Sequence, residues 1–200
     1  MWKKRHIDFI LNEDKYGRET RLVFRFYPRT SSCHSFNNNP PKTWKDVYKV
    51  YYHWAILSQR KEKGTWHTEI VYEEHCDECS VLDDIAYICK KLHDGIYVET
   101  DTVNGELHTF EYLNKEILPF GMATSWQIQK KESKIYFVQT DNGLLEYDEE
   151  DAPIKIDFTF MLFGWFNNGY RFTLPQSKLL AFSEFLTECC EYMLTHGDPI

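Results

Sequence analysis

Several things that would announce a function are missing from this 200-residue sequence. No apolar run approaches the ~20 residues that span a bilayer, so no membrane helix is expected. The basic start, MWKKRHIDFIL, is not followed by an apolar stretch of about 7–15 residues or a small-residue cleavage site, so a cytoplasmic protein is expected. The nine glycines stand singly; none falls in G-x-G-x-x-G or a phosphate-binding loop, which argues against the common nucleotide folds. G-x-S-x-G and H-E-x-x-H are missing as well, so neither a hydrolase elbow nor a zincin helix is expected. Histidines and carboxylates are plentiful, but an inventory is not a catalytic geometry.

Cysteine is present without a regular frame. Cys33, Cys76, Cys79, Cys89, Cys189 and Cys190 are unevenly spaced in a long chain, which points to reduced thiols rather than a disulfide scaffold. The stretch HCDEC (75–79) raises three chemical readings. Cys76-x2-Cys79 followed by Cys89-x3-His93 is a four-donor zinc set on paper. A helix opening near Ser80 would separate Cys79 from Cys89 by about 15 Å, too far for one ion. His67-Thr-Glu69 before C-x-x-C echoes a zinc deaminase, but the proline is replaced by His75 and only six residues separate Glu69 from Cys76. A redox thiol needs nearby positive charge, yet Glu73, Glu74, Asp77 and Glu78 crowd the pair and favour the protonated form. The expectation is two thiols on an acidic loop. No catalytic residue, metal ligand or cofactor is assigned, and whether the chain is an enzyme stays open, leaning to no. A zinc-dependent enzyme with cysteine ligands remains a further alternative.

Hydrophobic residues at 42% and aromatics at 16% favour a packed core, and one globular domain over residues 1–200 is expected. HIDFILN (6–12) and ETRLVFRFY (19–27) around DKYG resemble a hairpin with one drier face, and 28–42 reads as a loop. Thr43 and Asp46 resemble a helix cap. Trp44, Val47, Tyr48, Tyr51, Trp54 and Ala55 then follow helical spacing, up to KEKG (61–64). A strand over 65–72 precedes a helix from Ser80 to near Gly95. Asn104-Gly105, DNG (141–143) and NNG (167–169) each mark a hairpin. Strands fit 125–130, 134–140 and 144–148, and a terminal helix fits Gln176 to Thr195. The expected fold is α+β: a meandering antiparallel sheet with about three helices packed on it.

What is abundant is charge, unevenly placed. Residues 1–64 hold 14 Lys/Arg against 6 Asp/Glu, a net +8; residues 65–200 hold 9 against 25, a net −16. An acidic surface built from Glu73, Glu74, Asp77, Glu78, Asp148, Glu149, Glu150 and Asp151 would steer towards a basic protein partner. The expected function is a non-enzymatic inhibitor, or an immunity or anti-defence factor. Its partner would be a nuclease or another nucleic-acid-binding effector. The alternative is an anion- or nucleic-acid-binding module using Arg21, Arg25, Arg29, Lys45 and Lys49. If the thiols are reduced, strong reductant leaves the melting temperature unchanged; a large drop on adding it would reveal a stabilising disulfide.

Overall fold

The computed structural model describes residues 5–16, 19–28, 51–117, 125–163 and 169–196. Strands β1 (Arg5–Glu13), β2 (Glu19–Pro28), β3 (Tyr51–Glu62) and β4 (Thr65–Glu78) pair antiparallel in chain order. Helix α1 (Cys79–His93) follows directly, and then a two-stranded ribbon of β5 (Val98–Val103) and β6 (Glu106–Glu111). β7 (Glu116–Ile117), β8 (Ser125–Lys134), β11 (Ile154–Phe163) and β12 (Gly169–Pro175) form a second antiparallel sheet, ordered β12-β11-β8-β7. Between β8 and β11 lies a ribbon of β9 (Phe137–Thr140) and β10 (Gly143–Glu146). A 3-10 turn (Gln176–Lys178) leads into helix α2 (Leu179–His196). Among the described residues no helix is long and apolar enough to cross a membrane.

The class is α+β, but two details of the expected fold are corrected. The strands divide into two four-stranded sheets and two ribbons rather than one meander, and the described helices are two. The helix expected over 43–60 is the source of the difference. From Tyr51 onward the chain is strand β3, paired with β2 on one side and β4 on the other. Trp44, Val47 and Tyr48 lie outside the described residues. The reason is physical: YYHWAIL is apolar but for His53, and a strand held between two partners reads like a buried helix by periodicity alone. The β1–β2 hairpin forms as expected, but Leu22 and its neighbour Val23 are both buried, so the apolar surface is not confined to one drier face.

The core sits between the second sheet and the helices. Trp126, Ile128, Phe158, Phe160, Leu162, Phe172 and Leu174 alternate along β8, β11 and β12, and all are buried. Leu82, Ile85, Ala86, Cys89 and Leu92 of α1 and Leu179, Phe182, Leu186 and Cys189 of α2 cover them at helical spacing. Phe182 makes edge contacts with Phe160 at 5.2 Å, Phe172 at 5.5 Å and Phe9 of β1 at 5.2 Å. Ser183 Oγ donates to the Ala86 carbonyl at 2.6 Å, joining α2 to α1 inside the core.

Local chemistry fixes the ends. Gly95, at φ +77°, terminates α1 in a left-handed residue, and Ile96 N–H donates back to Lys91 O at 2.8 Å. Asn104 and Gly105 both take positive φ, as the tight β5–β6 turn requires. Phe182→Ala should cost about 3–5 kcal/mol, because four ring contacts and a fully buried volume are lost at once. Urea unfolding measures it, and a cost under about 1 kcal/mol would show that the ring is not central to the core.

Candidate functional site

The second strand of one long ribbon carries an insertion. β8 pairs with β11 from Ser125↔Phe163 to Lys134↔Ile154, and Ile135 N–H continues the ladder to Pro153 O at 2.9 Å. The next rung, however, joins Tyr136 O to Tyr147 N–H at 2.8 Å, and β9 and β10 follow in register from Phe137↔Glu146. Residues 148–152 therefore have no counterpart on the opposite strand and leave the ladder as an extended bulge. They close on themselves: Ala152 N–H donates to Asp148 O at 2.9 Å, one turn of helix. Ala152 is buried and anchors this turn, while Asp148, Glu149, Glu150 and Asp151 are all exposed.

The cation nearest these four carboxylates along the sequence is Lys155. Lys155 instead lies 2.9 Å from Asp157 Oδ2. Lys134, across the ladder, takes its place: its Nζ donates to Glu149 O at 2.7 Å and lies 3.9 Å from Glu149 Oε1. Among the described residues this is the one ammonium paired with the turn, through Glu149, and both its side chain and that of Glu149 are well exposed. Beyond the turn, the β9–β10 ribbon exposes Tyr136, Phe137, Leu144 and Leu145. Their exposure was not expected from the sequence. The signal was there, in apolar neighbours on both sides of DNG that a half-buried hairpin would not need.

The other sequence-predicted acids are elsewhere. Glu73, Glu74, Asp77 and Glu78 lie on β4, in the first sheet, at register positions opposite Ala55, Trp54, Tyr52 and Tyr51. The HCDEC stretch is therefore not a loop, as expected, but a strand end running straight into α1. Between Glu74 and Asp77 the pairing slips by one residue, so His75 and Cys76 form a bulge. Because α1 is continuous from Cys79, Cys79 and Cys89 are about 15 Å apart on one helix, and Cys89 is buried in the core. His67 and Cys76 share one strand about 30 Å apart, unlike ligands that converge on a metal. Among the described residues no group of three His, Cys, Asp or Glu is placed to hold a metal ion.

Of the alternative basic set, Arg21 is already engaged. It reaches Asp8 Oδ2 and Glu19 Oε2 at 2.6 Å each and lies 4.9 Å from the Trp66 ring. Arg25 is on β2; Arg29, Lys45 and Lys49 lie outside the described residues. The ion pairs named here, and that of Lys91 with Glu99, each stay within residues 1–64 or within 65–200. None of them neutralises one charged segment with the other.

One further polar cluster was not foreseen. Glu99 of β5 accepts from Lys91 Nζ at 2.7 Å, Tyr112 Oη at 2.5 Å and Tyr87 Oη at 3.0 Å. These bonds, Lys91's first, hold the Glu99 carboxyl down at about 2, and the bond to Glu99 in turn raises Lys91. A carboxylate this weakly basic with its oxygens occupied is a poor general base, and Lys91 is a poor nucleophile. The cluster instead clamps the β5–β6 ribbon to α1.

Because the folded carboxyl titrates below its ordinary 4.5, the clamp's stabilisation is fully present above that pH and is lost as pH falls towards 2. Glu99→Gln should therefore lower the melting temperature at neutral pH, with the deficit shrinking between pH 4.5 and about 2. Melting curves of both proteins across that range check it, and a deficit independent of pH would mean that charge is not what the clamp uses.

No family model, curated protein or solved structure matches this chain.

Proposed function

We propose that this chain is a non-enzymatic binding protein that engages a basic macromolecular partner through the 148–151 turn and the adjoining β9–β10 ribbon. The observation that carries this reading is the turn itself. Four exposed carboxylates are set out from the ladder, and among the described residues the one ammonium paired with them is that of Lys134, at Glu149. Like charges so close repel one another, and salt reduces this only partly. A partner's Lys or Arg would relieve the repulsion and add charge-assisted hydrogen bonds. The exposed Phe137 and Leu144 beside the turn supply apolar contact, which charge alone lacks.

The partner class we favour is a nucleic-acid-handling protein, such as a nuclease, whose surface is basic because its own ligand is an anion. Covering that surface would make this chain an inhibitor, or an immunity or anti-defence factor, acting in the cytoplasm. Direct binding of nucleic acid has less support, since Arg21 is held by two carboxylates and the whole chain carries −8.

Reversing Asp148, Glu149, Glu150 and Asp151 to Lys should slow association with a purified partner by about tenfold or more at low salt, and flatten its salt dependence. The melting temperature should barely move, because exposed charges contribute little to stability. Pull-down with both proteins, followed by salt-dependent binding kinetics, tests it. Equal rates for the two proteins would reduce the turn to a solvated surface.

A further inference from the structure

Beside the acidic turn the core is left open. β11 keeps its inward alternation as far as its first residue, so Ile154, Ile156 and Phe158 share one side of the sheet. Phe158 is fully covered by the helices, Ile156 is half-buried, and Ile154 is 61% exposed. The cover stops because both helices end here. α1 terminates at His93, α2 is entered through Gln176 and Ser177, and Gln176 Nε2 ties the two ends together by donating to Leu92 O and His93 O at 3.3 and 3.0 Å. The result is an open groove of about 530 Å³, floored by Ile135, Ile154, Ile156 and Pro175 and walled by His93 and Gln176. That volume falls within the range of about 300–1,000 Å³ usual for ligand sites.

The groove adjoins the acidic turn along the chain. Pro153 alone separates buried Ala152 of the turn from Ile154 of the floor, and Ile135 lies opposite Pro153 across the ladder. Lys155, also on the lining, is balanced by Asp157, so the net charge bordering the floor on the side of the turn is negative.

We propose that this groove receives an apolar side chain of the partner, presented on a segment whose flanking Lys or Arg residues meet Asp148–Asp151. The inference rests on the reading of the chain as a binder of basic proteins and adds the anchor to it. Charge complementarity selects the occupant. An apolar segment with acidic flanks would be repelled by the turn, and a purely basic one would leave Ile154 in water. Burying one leucine-sized side chain against this floor is worth about tenfold or more in affinity, even when only part of its surface is covered.

Three labelled synthetic hexapeptides test this by fluorescence anisotropy at low salt: Lys-Lys-Leu-Leu-Lys-Lys, Lys-Lys-Ser-Ser-Lys-Lys and Glu-Glu-Leu-Leu-Glu-Glu. The expected result is about tenfold tighter binding of the Lys/Leu peptide than of Lys/Ser, with the Glu/Leu peptide weakest. Ile154→Ser should erase the advantage of Lys/Leu over Lys/Ser while leaving Lys/Ser binding unchanged. Its exposure keeps the fold out of question, and a melting curve checks this. Reversal of the four turn acids should weaken both basic peptides. If Lys/Ser binds as tightly as Lys/Leu and both need the turn, the groove is not an anchor and the binding function stands. If Ile154→Ser leaves the leucine advantage intact, the groove is the wrong anchor. If no basic peptide binds, or reversal has no effect, both proposals are wrong.

Discussion

Phe182 is fully buried where four elements meet, and the other contacts of the core are arranged around it. Its ring touches Phe160 of β11, Phe172 of β12 and Phe9 of β1, so one side chain joins the second sheet, helix α2 and the first strand of the chain. Phe9 also meets Phe185, and Lys178 Nζ donates to Leu11 O at 3.1 Å beside it. The basic first segment is thus joined to the acidic remainder by the β3–β4 ladder, by these ring contacts and by Lys178 on the β1 backbone. The ion pairs given above stay inside each segment.

The same architecture decides where an interaction surface can form. The helices shield the sheet only along their own length. Where α1 stops at a left-handed glycine and α2 begins behind Pro175, the inward-facing isoleucines of β11 emerge from cover. The bulge at 148–152 sits at this boundary, so the charged and apolar features of the candidate site have a common cause in the way the ribbon outruns its helices.

Much of this was readable from residue order, and the failures are instructive. Asn104-Gly105 and DNG marked their hairpins because few residues tolerate the backbone they need, and the spacing of Leu179, Phe182, Leu186, Cys189 and Met193 marked α2. β3 was misread because its apolar run satisfies helix and central strand alike; only its partners on both sides decide. The four turn acids were found by their run of like charge, but Lys134 was not assigned to them. It lies fourteen residues before Asp148 and arrives only through the β8–β11 register. The groove depends on where two helices stop relative to a strand, a long-range relation that no local pattern encodes. Gln176, which ties the helix ends, is an ordinary polar residue in sequence.

The bulge also bears on how such a protein can change over generations. Tyr147 pairs with Tyr136 and Pro153 with Ile135, so residues 148–152 lie between two consecutive rungs of an otherwise continuous ladder. Excising all five would join Tyr147 to Pro153 with strand register and side-chain alternation preserved. The acids 148–151 stand on buried Ala152, outside the ladder rungs on either side, so a change in their charge touches neither rung. Surface charge can therefore vary at this turn while the pairing of the two strands beside it is kept.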